Sequence, residues 1–141
     1  MKTTKLFMLA LFATGCIYAQ DIEANQVPSV IINNFKKEFP KASDIEWERQ
    51  GNQYSVEFEI GFYTDYEAWF NTSGDLIRYA EEISRTDLPQ EIKDAINNQY
   101  QGYKIDDTIK FIENNIETYS VEIERDHEER NLLFSKNGKL I

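Results

Sequence analysis

Apolar residues recur along the chain with two different spacings, and this pattern predicts two helices separated by groups of strands. Over residues 27–39 the apolar positions, Ile31 and Phe35 among them, have the spacing of one helix face, and Pro40 then ends the helix. The same spacing predicts a second helix over residues 89–100.

Strict alternation of apolar and polar residues indicates strands elsewhere in the chain. The clearest case is residues 54–60, where the apolar residues point to one face of a sheet and the polar residues to the other. The first group is Tyr54, Val56, Phe58 and Ile60, and the second is Ser55, Glu57 and Glu59. Residues 20–26 are predicted to form only a short leader. Further strands are predicted over residues 45–48, 66–71, 76–83, 105–114, 118–124, 131–135 and 139–141.

The same order of motifs occurs twice. Pro28 and Pro89 open the two helices, and the segment Tyr-Ser-Val-Glu at 54–57 returns at 119–122. Repetition of a helix followed by strands indicates a duplicated structural unit.

The predicted architecture follows from this duplication. Residues 20–141 would form a single domain of two repeats, at about 27–83 and 88–141, because each copy alone is too small to be stable. The fold class is predicted to be α+β: a tandem repeat of a helix plus a four-stranded antiparallel sheet. The helices would pack on one face of the joined sheet, and the other face would be open.

The N-terminus predicts export. Residues 1–19 have the pattern of a signal peptide, because Lys2 and Lys5 precede an apolar stretch too short for a membrane anchor, and cleavage is expected after Ala19. In an alternative interpretation, Cys16 is the lipidated residue of a lipoprotein. No later segment is apolar for long enough to cross a membrane, so no membrane span is predicted.

The charge balance is strongly acidic. The chain has 25 acidic and 15 basic residues and a formal net charge of −10, and loss of Lys2 and Lys5 with the signal peptide would make it −12. Such a surface repels nucleic acid, so no nucleic-acid partner is predicted. The oligomeric state is left open.

Several segments together resemble a known family. The segment Ile-Glu-Trp-Glu at 45–48 follows the first helix, and Phe-Asn-Thr-Ser-Gly-Asp-Leu-Ile at 70–77 has a counterpart at 134–141. In this order and duplication the chain resembles the PepSY-like, or beta-lactamase-inhibitor-protein-like, family of exported proteins common in Bacteroidetes. The resemblance implies a concave open sheet face and no enzymatic activity. It also implies protein binding, as in the namesake inhibitor, while some relatives are described as calcium-regulated.

Candidate catalytic groups are scarce. His127 is the single histidine, and it lies in a charged segment typical of a solvated hairpin tip. No nucleophile-elbow, zincin or zinc-ligand spacing occurs, so no catalytic residue and no cofactor is predicted. A hydrolase that uses a pair of carboxylates is the least favoured function, because exposed strand glutamates lack an enclosing pocket.

Calcium is the one metal that the composition favours, because it binds carboxylate and carbonyl oxygens. Its candidate ligands are strand glutamates of the predicted open face: Glu57, Glu59, Glu122 and Glu124. The pairs Asp106 with Asp107 and Asp65 with Glu67 could add further oxygens. The alternative is that solvent simply screens these charges.

Aromatic residues give the candidate partner-binding surface. Phe62, Tyr63 and Tyr66 cluster at a predicted hairpin beyond Gly61, and Trp47 and Trp69 could share the open sheet face. Exposed aromatic patches anchor protein interfaces. Packing beneath the hairpin is the alternative.

The favoured function is therefore a non-enzymatic exported module that contacts a protein or envelope ligand through the open sheet face. A calcium-responsive acidic periplasmic protein is the alternative.

Overall fold

The computed structural model describes residues 20–141, and within them it contains two α-helices and eight strands. The helices are α1 (Ser29–Glu38) and α2 (Gln90–Gln99). Before α1 the chain forms β1 (Gln20–Ile22) and a single 3-10 turn (Ala24–Gln26). The remaining strands are β2 (Ser43–Gln50), β3 (Gln53–Ile60), β4 (Thr64–Asn71), β5 (Leu76–Glu82), β6 (Lys104–Glu113), β7 (Ile116–Arg125) and β8 (Glu128–Ser135).

All eight strands form one antiparallel sheet in the order β1 to β8, so each strand pairs with the next one along the chain. The predicted tandem repeat of a helix plus a four-stranded antiparallel sheet is therefore wrong. Five strands precede α2 and three follow it, because residues 20–22 pair with β2. At the other end, residues 139–141 contribute only an isolated bridge between Phe134 and Leu140.

The predicted division of the sheet into one face packed with helices and one open, concave face is also wrong. Each helix fully buries only two side chains, Ile31 and Phe35 in α1 and Ile92 and Ile96 in α2. Each pair packs in a separate cluster, the first with β2–β4 and the second with β7 and β8. On the opposite face of the sheet a third cluster is buried, consisting of Trp69, Ala80 and Phe111. Aromatic side chains thus occupy the middle of a face that strand alternation had assigned to solvent.

Aromatic rings dominate the first cluster. The ring of Phe35 makes edge contacts with Trp47 at 5.3 Å between centroids, with Phe58 at 5.0 Å and with Phe70 at 6.4 Å. Phe39, the C-cap residue that follows α1, adds a tilted contact at 5.7 Å. Such ring pairs stabilise a core beyond the apolar area that they bury.

The two predicted helices and the strand alternation over residues 54–60 are confirmed, with boundaries shifted by a few residues. The prediction that residues 20–26 form only a leader is wrong, because the first of them pair with β2. The predicted signal peptide, its cleavage after Ala19 and the lipidation of Cys16 lie outside the described residues.

Replacing Gly138 with alanine should destabilise the protein by about 3 kcal/mol, because two costs combine. Gly138 has a φ of +79°, and an added Cβ would lie 2.5 Å from the backbone oxygen of Glu91 in α2. Gly61 has a similar φ of +73° with nothing within 4 Å of an added Cβ. Gly61→Ala should therefore cost only about 1 kcal/mol. Urea unfolding of both variants measures the difference, and equal losses would show that the contact with α2 has no energetic role.

Candidate partner-binding site

Carboxylates crowd together on one face of the sheet, on strands β1 to β4. Within this acidic cluster, cross-strand partners carry like charges: Glu46 lies opposite Glu57, and Glu57 lies opposite Glu67. Like charges directly opposite each other destabilise a sheet. The acidic cluster consists of Asp21, Glu46, Glu48, Glu57, Glu59, Asp65 and Glu67.

Glu67 is the most deeply buried carboxylate of the acidic cluster, with 8% of its surface exposed. Burial, followed by the charges of Glu57 and Glu48, raises its pKa to about 8, and Arg78 opposes this change. The pKa of Glu57 is also raised, by burial first and then by neighbouring carboxylates led by Glu48. The cluster therefore holds more negative charge than its surroundings compensate.

Arg78 is the cation of β5 that faces this cluster. Its guanidinium stacks over the Trp69 ring at 4.2 Å from the centroid and lies 5.9 Å from that of Phe111. Among residues 20–141 the ion pairs involve Lys110, Arg125, Arg130 and Lys136, and none involves Arg78. Arg78 thus covers the buried aromatic residues without neutralising a carboxylate directly.

The turn that joins β3 to β4 presents two aromatic side chains to solvent. Phe62 is 97% exposed and Tyr63 is 83% exposed. Tyr63 also adopts a φ of +67°, a conformation that is rare for a bulky residue. Because Glu59 and Asp65 pair at the base of the same turn, the aromatic tip is continuous with the acidic cluster.

The other three predicted partner-binding residues are not at this tip. Trp47 is buried against Phe35 in the first core cluster. Trp69 is buried on the opposite face beneath Arg78. Tyr66 stacks on Phe58 at 5.4 Å and donates a hydrogen bond to Glu81 at 2.9 Å, with burial as the main cause that raises its pKa to about 12. Phe62 and Tyr63 alone form an exposed aromatic pair.

The four predicted calcium ligands are split between two strands. Glu57 and Glu59 lie on β3, while Glu122 and Glu124 lie on β7. Four strand spacings separate β3 from β7, or about 19 Å, which is too far for one ion to bridge.

One group of carboxylates does converge in the described part of the chain. Oxygens of Asp106, Asp107 and Glu122 all lie within 4.8 Å of one another. The register of β6 against β7 shifts between Ile105 and Thr108, which brings both aspartates beside Glu122. Burial is the main cause of a raised pKa at Glu122.

A shallow cavity of about 370 Å³ lies beyond Arg78 on the same face as the acidic cluster. Its apolar walls include Ile116 and Leu133, both exposed to solvent. Sequence reasoning missed this cavity, although the alternation in β7 and β8 places these side chains on the face that carries Phe111.

Comparison with solved structures shows the same fold in other proteins. The chain is 24% identical to a BLIP-like protein from Bacteroides fragilis, with a TM-score of 0.69 over 81% of this chain and 82% of that one. It is 14% identical to a protein from Bacteroides eggerthii described as a putative periplasmic protein, with a TM-score of 0.74 over 82% and 86% of the two chains. No curated protein matches the chain.

The family comparison covers most of the sequence. Residues 16–62 and 57–141 match the family described as putative beta-lactamase-inhibitor-like, PepSY-like. The segments that carried the resemblance, residues 45–48 and 70–77 with its counterpart at 134–141, all lie inside the matched regions. The chain therefore belongs to the PepSY-like, beta-lactamase-inhibitor-like family.

Proposed function

We propose that this protein is an exported, non-enzymatic binding module that contacts a partner protein through the turn between β3 and β4. The observation that carries the proposal is the near-complete exposure of Phe62 and Tyr63. Large aromatic side chains expose apolar surface to water unless a partner covers them, and this exposure is unfavourable. Aromatic residues are also enriched at the centre of protein interfaces.

The charge around the tip supports a basic partner surface. The paired carboxylates Glu59 and Asp65 stand directly behind the aromatic tip, and Glu57 and Glu67 stand behind them. A partner with an apolar pocket rimmed by basic residues would bury the rings and neutralise these charges at the same time. Complementary charge of this kind speeds association and disfavours wrong partners.

Export is supported by the relatives and by the chain itself. The structural relative from Bacteroides eggerthii is described as periplasmic, and residues 1–19 have the pattern of a signal peptide. None of the helices in residues 20–141 is long and apolar enough to span a membrane.

The absence of catalysis is supported by the chemistry of the residues. His127 is exposed at the turn between β7 and β8, with a φ of +69°. A general base must be oriented by a partner and must reach a site that can hold substrate. The family name, too, refers to an inhibitor rather than an enzyme.

Photo-crosslinking in the native cell envelope tests the proposal. A benzophenone amino acid at position 62 should crosslink the protein to one partner species, identified by mass spectrometry. The same probe at position 97, exposed on α2, is the matched control. Crosslinks of equal yield from both positions, or none from position 62, would contradict binding through the tip.

A calcium-responsive function is the second candidate, favoured by the convergence of Asp106, Asp107 and Glu122. Saturating Ca²⁺ should raise the melting temperature by about 5 °C, because an ion that binds only the folded state stabilises it. Mg²⁺ should not reproduce the shift, because it demands stricter octahedral geometry. Asp107→Asn should abolish the shift while Glu57→Gln keeps it. Equal shifts in both variants would show that Ca²⁺ raises the melting temperature only by general screening of charge.

A further inference from the structure

We infer that Glu67, together with Glu57 and Glu48, forms a binding site for a guanidinium group of the partner protein. The inference rests on the proposed function and names the chemistry that the partner must bring to the acidic cluster. It adds to the aromatic tip a second contact, centred on the same strand pair and lying behind the paired carboxylates Glu59 and Asp65.

The first argument is the state of Glu67. A carboxylate buried this deeply normally has hydrogen-bond or ion-pair partners, because its desolvation is costly. In residues 20–141 no donor forms a hydrogen bond or an ion pair with Glu67, whereas the carboxylate of Glu117 accepts contacts from Lys110, Lys136 and Tyr119. Glu67 is therefore a largely buried side chain whose carboxyl group has no hydrogen-bond or ion-pair partner among residues 20–141 and still reaches solvent.

The second argument is the charge that surrounds this acceptor. Glu57 on β3 lies directly opposite Glu67, and Glu48 on β2 adds a further negative charge that acts on it. On the other side Ala80 of β5 is its cross-strand neighbour, and Arg78 of the same strand supplies the only opposing charge among the causes acting on it. The methyl group of Ala80 therefore offers Glu67 no hydrogen-bond donor on the β5 side.

The third argument separates an organic cation from a metal ion. A calcium ion needs ligand oxygens at 2.3–2.6 Å, so those oxygens must converge closely. In the described part of the chain only Asp106, Asp107 and Glu122 converge as three carboxylates within 4.8 Å, and Glu48, Glu57 and Glu67 do not. A guanidinium presents five donors on a planar fork and can therefore contact carboxylates that are further apart.

The face already accommodates one guanidinium. The guanidinium of Arg78 lies over the Trp69 ring, and its charge lowers the pKa of Glu67 against the burial that raises it. A second guanidinium on the side of Glu57 would act on Glu67 in the same direction and more directly. Its arrival would therefore drive the proton off Glu67, and partner binding would be coupled to proton release.

Carbon-13 NMR of the Glu67 side-chain carboxyl carbon tests this coupling. The probe is N-acetyl-tri-arginine amide, added to the protein at constant ionic strength. Without the probe the Glu67 carboxyl should titrate near pH 8. With saturating probe its midpoint should fall by about one pH unit or more, as for a carboxyl next to an arginine.

Two charge-matched variants separate a specific site from general attraction. Glu67→Gln should weaken probe binding about fivefold or more, because charge-assisted hydrogen bonds to the carboxylate are lost. Glu38→Gln changes the net charge equally on the exposed end of α1 and should leave the affinity unchanged. Equal losses in both variants, no probe binding to the wild type, or an equal pKa shift produced by Ca²⁺ alone would each overturn the inference.

The inference and the proposed function fail in different ways. If the crosslink from position 62 forms but Glu67→Gln does not reduce it, the tip binds a partner and the guanidinium site is wrong. If the probe binds at Glu67 but no crosslink forms from position 62, the acidic cluster binds cations and the proposed role of the tip is wrong.

Discussion

Replacing Phe35 with alanine should lower the free energy of unfolding by about 4 kcal/mol. The Phe35 side chain is only 2% exposed, and its ring contacts four others, those of Phe39, Trp47, Phe58 and Phe70. Alanine would leave a cavity between α1 and the sheet that these rigid rings cannot fill by small movements. The loss is a large part of the 5–15 kcal/mol that is typical of the total stability of a protein.

Urea unfolding followed by tryptophan fluorescence measures this loss, because Trp47 lies 5.3 Å from Phe35 between ring centroids. Lys37→Ala, on the exposed side of the same helix, should change stability by less than about 0.5 kcal/mol. A Phe35→Ala variant that lost no more than the lysine variant would show that the first core cluster does not hold α1 to the sheet.

The helices and strands could be predicted because their signals are local. The apolar positions of α1 and α2 have one spacing, Pro28 and Pro89 mark where the helices start, and residues 54–60 alternate without interruption. Each of these signals depends on residues a few positions apart, so it needs no knowledge of the tertiary structure.

The arrangement of these elements could not be predicted in the same way. Strand β1 has only three residues and no alternating pattern of its own, so its pairing with β2 depends on a partner more than twenty residues later. The number of strands on either side of α2 depends on such pairings and on where the last strand fails to form. The duplicated motifs suggested two equal four-stranded halves. The observed pairings instead form a single sheet with five strands before α2 and three after it.

Burial of side chains on the two faces of the sheet was the second feature that could not be predicted. Alternation correctly placed the glutamates of β3 on the face opposite Tyr54, Val56 and Phe58, but it cannot say which residues on that face are covered. Arg78 lies over Trp69 only because β4 and β5 pair in that register. The burial of Glu67 follows from the same pairing, so its altered chemistry had no signal in the sequence alone.

Replacing Glu67 with glutamine should remove much of the pH dependence of stability between about pH 4.5 and pH 8. In the folded protein the pKa of Glu67 is raised from 4.5 to about 8, by burial first and then by the charges of Glu57 and Glu48. Between these two pH values the folded state holds a proton that the unfolded chain has already lost. The contribution of Glu67 to stability should therefore be fully present below pH 4.5. It should be lost as the pH rises through 8.

Glutamine keeps the shape of the side chain but carries no charge at any pH. Because each pKa unit corresponds to about 1.36 kcal/mol, Glu67→Gln should be more stable than the wild type at pH 9 by on the order of 5 kcal/mol. At pH 5 the two proteins should differ little, since Glu67 is then protonated in the folded wild type.

Urea unfolding at pH 5, 7 and 9 gives the three free energies that this prediction needs. Glu59→Gln is the matched control. Glu59 lies on the same face of the sheet as Glu67 but is more exposed, and it pairs with Asp65 near the turn. That variant should keep most of the wild-type loss of stability between pH 5 and pH 9. If Glu67→Gln lost stability with rising pH as steeply as the wild type, Glu67 would be ionised at neutral pH, and no proton would remain for a partner's guanidinium to displace.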